Sequence, residues 1–125
     1  MQPTLRNGQH CLLNRWVYLV RAPRRGDVVV LRDPTDNGLA VKRIIGVAGD
    51  RVELSSGDLI LNGSKLKEPY LREGLPTYPG PKLRQQTIEC HEGQYVVMGD
   101  NRMNSADSRN YGAVGRENIL GLIVP

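Results

Sequence analysis

The chain has 125 residues, 39% of them hydrophobic, with 14 Gly, 8 Pro, one Trp and no Phe. This suits one domain, residues 1–125, whose core must come from Val, Leu and Ile, residues that favour strands. A formal net charge of +4 is too mild to argue for nucleic-acid binding and fits a solvated basic surface or an anionic membrane surface. No run reaches the roughly 20 apolar residues of a membrane span, so a chain soluble as given is expected. Cys11 and Cys90 show no metal spacing, and no metal or cofactor is expected.

In chain order, Met1-Gln2-Pro3-Thr4-Leu5 reads as an extended start. Trp16 to Val20 is an apolar, aromatic run that predicts a strand, and Arg21, Arg24 and Arg25 follow at once. Aromatics beside cations fit a core strand ending in a basic turn, or an edge at a membrane interface. Arg25-Gly26-Asp27 turns into the β-branched run Val28 to Leu31. That context sets aside a cell-adhesion reading of the tripeptide. Asp33 to Gly38 is a turn.

Leu39 to Val47 predicts a strand with Leu39, Val41, Arg43, Ile45 and Val47 on one face and Ala40, Lys42, Ile44 and Gly46 on the other. Both faces are mostly apolar, which predicts burial on both sides. Lys42 then sits in an apolar row. It either snorkels to solvent or loses its charge and becomes available as a general base.

From Arg51 the chain meanders. Val52 and Leu54 alternate with charged residues, Ser55 to Asp58 is a turn, and Leu59 to Leu61 is a strand. Asn62-Gly63 is a tight hairpin signal before Ser64 to Leu66. Lys67 to His91 carries Pro69, Pro76, Pro79 and Pro81 and cannot be regular throughout. His10 and His91 have no partner motif and read as structural or surface. Tyr95 to Met98 predicts a buried strand, and Ile119 to Val124 a closing one. The fold class is mainly β, with coiled antiparallel sheets and a Pro-rich irregular segment.

Between those last strands lies Gly99-Asp100-Asn101-Arg102-Met103-Asn104-Ser105-Ala106-Asp107-Ser108-Arg109. Gly-Asp-Asn is turn chemistry. Two Asp, two Arg and two Ser at tight spacing suggest a cross-linked, partly desolvated loop that holds a hydroxyl in place.

This loop closely resembles the last signature of the type I signal peptidases, Gly-Asp-Asn-x-x-x-Ser-x-Asp-Ser-Arg. Lys42-Arg43-Ile44-Ile45-Gly46-Val47-Ala48-Gly49-Asp50 resembles the family's Lys-Arg-Ile/Val-Ile-Gly-x-x-Gly-Asp, and Met1, Pro3, Thr4 and Leu5 follow its Ser-Met-x-Pro-Thr-Leu from the second letter. Arg25 to Val30 and the hairpin at Asn62-Gly63 also match family boxes.

The resemblance implies a membrane-anchored serine endopeptidase with an extracytoplasmic catalytic domain of coiled β-sheets, acting on signal peptides of secretory precursors. It implies Lys42 as general base and Ser105 as the hydroxyl that orients it. The nucleophilic Ser would precede Met1, so this chain alone is expected to be inactive. The family's oxyanion donors, the nucleophile's own N–H and a hydroxyl just upstream, would lie outside it too. Arg43 would pair with Asp100, and Asp107 with Arg109. A peptide with small residues before the cut would add as a strand beside Leu39-Ala40-Val41, in a shallow pocket walled by Ala40, Val41, Met1 and Leu5. Neutralising a Lys from its usual pKa of about 10.4 near pH 7.5 needs a shift of about 3 units, roughly 4 kcal/mol. Burial can supply it. One alternative is a self-cleaving repressor with a Ser/Lys dyad, against which the complete Gly-Asp-Asn loop argues. Another is a non-catalytic β domain that binds peptides or membrane surfaces.

Overall fold

The computed structural model describes residues 1–6 and 8–124. Ten strands build two antiparallel sheets: β1 Leu12–Asn14, β2 Val28–Arg32, β3 Leu39–Gly46, β4 Arg51–Ser55, β5 Asp58–Leu61, β6 Ser64–Lys65, β7 Gln85–Glu89, β8 Gln94–Met98, β9 Val114–Gly115 and β10 Ile119–Val124. The larger sheet runs β1-β10-β2-β3-β8-β9 and the smaller β6-β5-β4-β7. The one α-helical turn among the described residues, α1, is Ser108–Tyr111. The chain is mainly β, as its β-branched runs and turn signals require.

Two apolar clusters form the core. Tyr18, Val29, Leu31, Ile44, Tyr95, Val97, Val114 and Ile119 pack on one side of the large sheet. Ile45, Val52, Leu54, Leu59, Ile88, Cys90, Val96 and Met98 pack together across the two sheets. β8 feeds both, with Val97 in the first cluster and Val96 and Met98 in the second, which period-two alternation requires. Each such buried aliphatic side chain contributes roughly 1.5–3 kcal/mol relative to exposure.

β3 departs from simple alternation. Its register against β8 shifts between Ile44 and Gly46, a bulge at Ile45. Ile44 therefore enters the first cluster and Ile45 the second. Gly46 no longer shares the Lys42 row: a Cβ there would meet Val52 at 3.1 Å and Cys90 at 3.4 Å, in the second cluster. Val47 packs on the first cluster with Ile44, not with Ile45. One extra residue turns the rest of the strand over. Burial on both sides holds only for Arg43 to Gly46, because Leu39 to Lys42 are exposed or half-buried.

Trp16 to Val20 is not a strand. Val17–Leu19 form a 3-10 turn, because the Asn14 carboxamide accepts from the N–H groups of Trp16 (2.9 Å) and Val17 (3.1 Å) and starts a turn there. Only Tyr18 of this run is buried, and its hydroxyl donates to Asp27 at 2.8 Å. β1, β7 and β9 were not predicted. β7 lies inside the Pro-rich region, after its last proline, and pairs with β4 from Gln85 to Glu89.

Candidate active site

β3 and the 99–109 loop meet where β8 ends. The Arg43↔Met98 pair is the first between β3 and β8, so the chain leaves the sheet at Gly99 beside Lys42. Lys42 Nζ donates to Ser105 Oγ at 3.1 Å. Ser105 Oγ also accepts from the Gly99 N–H (3.2 Å) and donates to Asp107 Oδ2 (2.8 Å). A hydroxyl has one proton and two lone pairs, and all three are engaged. The approach depends on Gly99: a Cβ there would stand 2.3 Å from Ser105 Oγ.

Asp107 holds this arrangement. It is fully buried, and Arg109 grips it with two parallel bonds, Nε to Oδ1 and Nη2 to Oδ2, both 2.9 Å. It also caps α1, accepting from the Arg109 N–H at 3.1 Å while Asn110 reciprocates. Burial alone would raise its pKa, but Arg109 and the Ser105 hydroxyl outweigh it and hold the carboxyl below the usual carboxylate range. Burial pushes the Lys42 amine down from its usual value, against the pull of Asp107 and Asp33. Ser108 serves structure: its buried Oγ accepts from the Val97 N–H at 2.9 Å.

On the other face of β3, Arg43 forks onto Asp100, Nε to Oδ1 at 2.9 Å and Nη2 to Oδ2 at 2.7 Å. The N-terminus attaches here too. The Thr4 hydroxyl bonds Asp100 Oδ2, and the Asp100 N–H meets Met1 Sδ at 3.2 Å. Leu5 sits in a turn closed on the Met1 carbonyl at 3.1 Å, with no hydrogen bond tying it to β3 among the described residues. Leu39, Ala40 and Val41 pair with β2 along one edge. Their other edge carries no strand among the described residues, since β8 begins only at Arg43.

Residues 1–124 match the family model described as Signal peptidase, peptidase S26. The chain belongs to this family. Signal peptidase I of Bacillus licheniformis is 38% identical over 126 residues, which cover 97% of this chain and 68% of that protein. A probable signal peptidase I-2 of Synechocystis sp. is 39% identical over 129 residues, covering 97% and 56%. The chain thus spans 56–68% of the length of these relatives. The crystal structure of a signal peptidase I from Enterococcus faecalis aligns with TM-score 0.67 at 28% identity, over 82% of this chain and 97% of that one. The mainly β fold of this signal peptidase family member follows that neighbour.

Sequence reasoning missed a second set of residues that brace the signal-peptidase loop. Arg102 is buried and bonds Glu68 (2.5 and 3.1 Å), the Thr77 hydroxyl (3.0 Å) and the Gly99 carbonyl (2.8 Å). Tyr70 donates to Glu68 at 2.6 Å and lies under the Arg43 guanidinium, 3.8 Å from the ring centroid. The Pro-rich segment therefore straps both arginines. The Arg25-Gly26-Asp27 turn is structural. Arg25 forks onto Asp50 (2.7 and 2.5 Å), and Asp27 accepts from Arg21 at 3.0 Å. Burial opposes ionisation of Asp50, yet Arg25, the Val47 N–H and Asn62 hold its pKa down to about 2. Cys11 and Cys90 are free thiols, and burial pushes Cys90 up to about 11. Among the described residues no three His, Cys, Asp or Glu side chains cluster to hold a metal.

Proposed function

We propose that this chain is the catalytic domain of a serine endopeptidase that removes signal peptides from secretory precursors, cutting after small residues at a membrane surface. The observation that carries this reading is the 3.1 Å contact of Lys42 Nζ with Ser105 Oγ, in a setting whose desolvation disfavours the ammonium. Lys42 is the general base. Ser105 orients it and does not attack, because its proton and both lone pairs are taken. The nucleophile is a serine joined to the Met1 amine, a role supported by the lodging of Met1 at Asp100, one residue from Gly99.

In this reading neutral Lys42 takes the serine proton as Oγ attacks the scissile carbonyl, then returns it to the leaving amine. The precursor adds as a strand along the free edge of Leu39-Ala40-Val41. Leu12, Trp16, Leu19 and Val20, 74–86% exposed, face the bilayer with Arg15 and Arg24 beside them. No helix among the described residues is long and apolar enough to cross a membrane, so the reading assigns the anchor of the full-length protein to sequence beyond this chain.

The test compares this chain with one extended upstream by the serine and its preceding residues, on a precursor peptide carrying Ala-x-Ala before the cut. Cleavage by the extended form alone, abolished by Lys42→Ala, is expected. Equal cleavage by both forms would overturn the nucleophile assignment. Binding without cleavage by the extended form would favour a non-catalytic peptide-binding domain.

A further inference from the structure

A second cleft opens on the far side of Ser105. It encloses about 220 Å³ between the 99–109 loop and the Pro-rich segment, lined by Tyr78, Pro79, Pro81, Met103 and Asn110 as well as Ser105 itself. Its apolar walls are open to solvent, Tyr78 being 52% and Met103 59% exposed. The two guanidiniums that border it are already committed, Arg102 to Glu68 and Arg109 to Asp107. The cleft therefore presents apolar surface without a free charge.

Its walls are fixed relative to one another. A Cβ on Gly80 would stand 2.3 Å from the Arg109 carbonyl, so only glycine permits this contact. Gln86 fastens it from both sides, accepting from the Gly80 N–H at 2.8 Å and donating to the Arg109 carbonyl at 2.9 Å. Pro79 and Pro81 flank the glycine and limit the backbone freedom lost on binding. The cleft is preformed.

The sheet decides what reaches it. A precursor paired with Leu39 to Val41, cut beside Lys42, cannot continue along β3, because β8 occupies that edge from Arg43 onward. The residues after the cut must leave the sheet at Gly99 and pass Ser105, where the cleft begins. We propose that the Tyr78–Met103 cleft binds the first residues of the mature protein, after the cut, and favours an uncharged apolar side chain there. This rests on the peptidase reading above.

The test uses the chain itself with methionine methyls labelled for NMR and two peptides that share an Ala-x-Ala end. The short one stops at the last Ala, and the long one continues by four residues that include a Leu. Met1, Met98 and Met103 are the only three probes. The short peptide is expected to shift Met1 and leave Met103 unmoved. The long one is expected to shift Met103 as well and to bind about tenfold tighter, as partial burial of one apolar side chain would provide. Tyr78→Ser with Met103→Ser should bring the long peptide to the affinity of the short one. Both positions are more than half exposed, so the variant should keep its fold. Equal affinities for the two peptides, or a Met103 signal indifferent to the long one, would overturn the cleft while leaving the strand site intact. A short peptide that moves nothing would overturn the peptidase reading with it.

Discussion

Ser105 gives its hydroxyl proton to Asp107 at 2.8 Å while its oxygen accepts from Lys42 at 3.1 Å. Asp107 is itself fixed by Arg109, so the direction of the Lys42 amine is set by a relay of three side chains running back from the loop. The relay explains why so short a loop needs buried charge. An exposed Ser could rotate its hydroxyl freely; this one has one orientation that satisfies every partner.

Removing Asp107 should therefore cost both fold and geometry. Asp107→Ala leaves the Arg109 guanidinium buried without a counter-charge and strips the cap from α1. Breaking a buried pair in this way costs about 3–5 kcal/mol, which for a domain of this size lowers Tm by roughly 10 °C or more. The control is Asp58→Ala, which breaks a solvent-exposed pair with Lys65 and should cost less than about 1 kcal/mol. Equal melting temperatures for the two variants would show that the buried pair adds nothing.

Gly99→Ala tests the close approach at the centre. The new methyl would fall 2.3 Å from Ser105 Oγ and 2.9 Å from its Cβ, with Lys42 Nζ 3.7 Å away. Neither the hydroxyl nor the loop backbone can stay in place. Overpacking of this kind typically costs about 1–3 kcal/mol. In a chain extended upstream by the proposed nucleophilic serine, the loss in kcat should exceed anything the drop in Tm explains, because Ser105 is displaced from Lys42. A variant with undiminished kcat would mean that the Ser105 contact is dispensable.

The large elements were readable from local pattern. β2, β3, β5, β8 and β10 combine β-branched or apolar runs with turn signals at their ends. Lys42 to Asp50 and Gly99 to Arg109 stand in the sequence as contiguous motifs, but the pairing of Arg43 with Asp100, 57 positions apart, came from the family resemblance and not from local spacing. Trp16 to Val20 is not the strand its apolar run predicts, because the Asn14 carboxamide starts a turn that no apolar pattern announces, and Trp16, Leu19 and Val20 are 74–86% exposed. β7 carries a single buried residue, Ile88, and Gln85 to Glu89 offers no alternation to detect. The Arg102–Glu68 pair joins residues 34 positions apart, with no local spacing to announce it. The bulge at Ile45, which turns Gly46 into the second cluster, is a property of two paired strands and has no signature in one.

The exposed apolar face yields a binding prediction. Trp16, Leu19 and Val20 stand beside Arg15 and Arg24, and an interfacial aromatic with flanking cations suits an anionic headgroup layer. The chain should sediment with anionic vesicles more than with neutral ones, and added salt should weaken the difference. Trp16→Ser with Leu19→Ser should abolish it without lowering Tm, since both side chains are already in water. Indifference to vesicle charge would count against this face as the membrane side.

The charge state of Lys42 can be read from stability. Burial lowers its pKa in the folded chain, with Asp107 and Asp33 pulling the other way and Arg109 adding to the fall. The unfolded chain then binds the Lys42 proton more tightly than the folded one. Between the folded pKa and the unfolded value of about 10.4, unfolding takes up a proton, so stability rises with pH. Below the folded pKa the half-buried ammonium carries its whole desolvation cost, and above the unfolded pKa the cost is gone. Lys42→Met keeps the length of the side chain and removes the titration. The variant should melt above the parent at about pH 6–7, and the gap should close as pH approaches about 10. Thermal unfolding of both forms at fixed ionic strength measures it. A gap that stays constant, or grows with pH, would mean that Lys42 is an ordinary solvated ammonium, and a base that remains charged at neutral pH could not take a proton from serine.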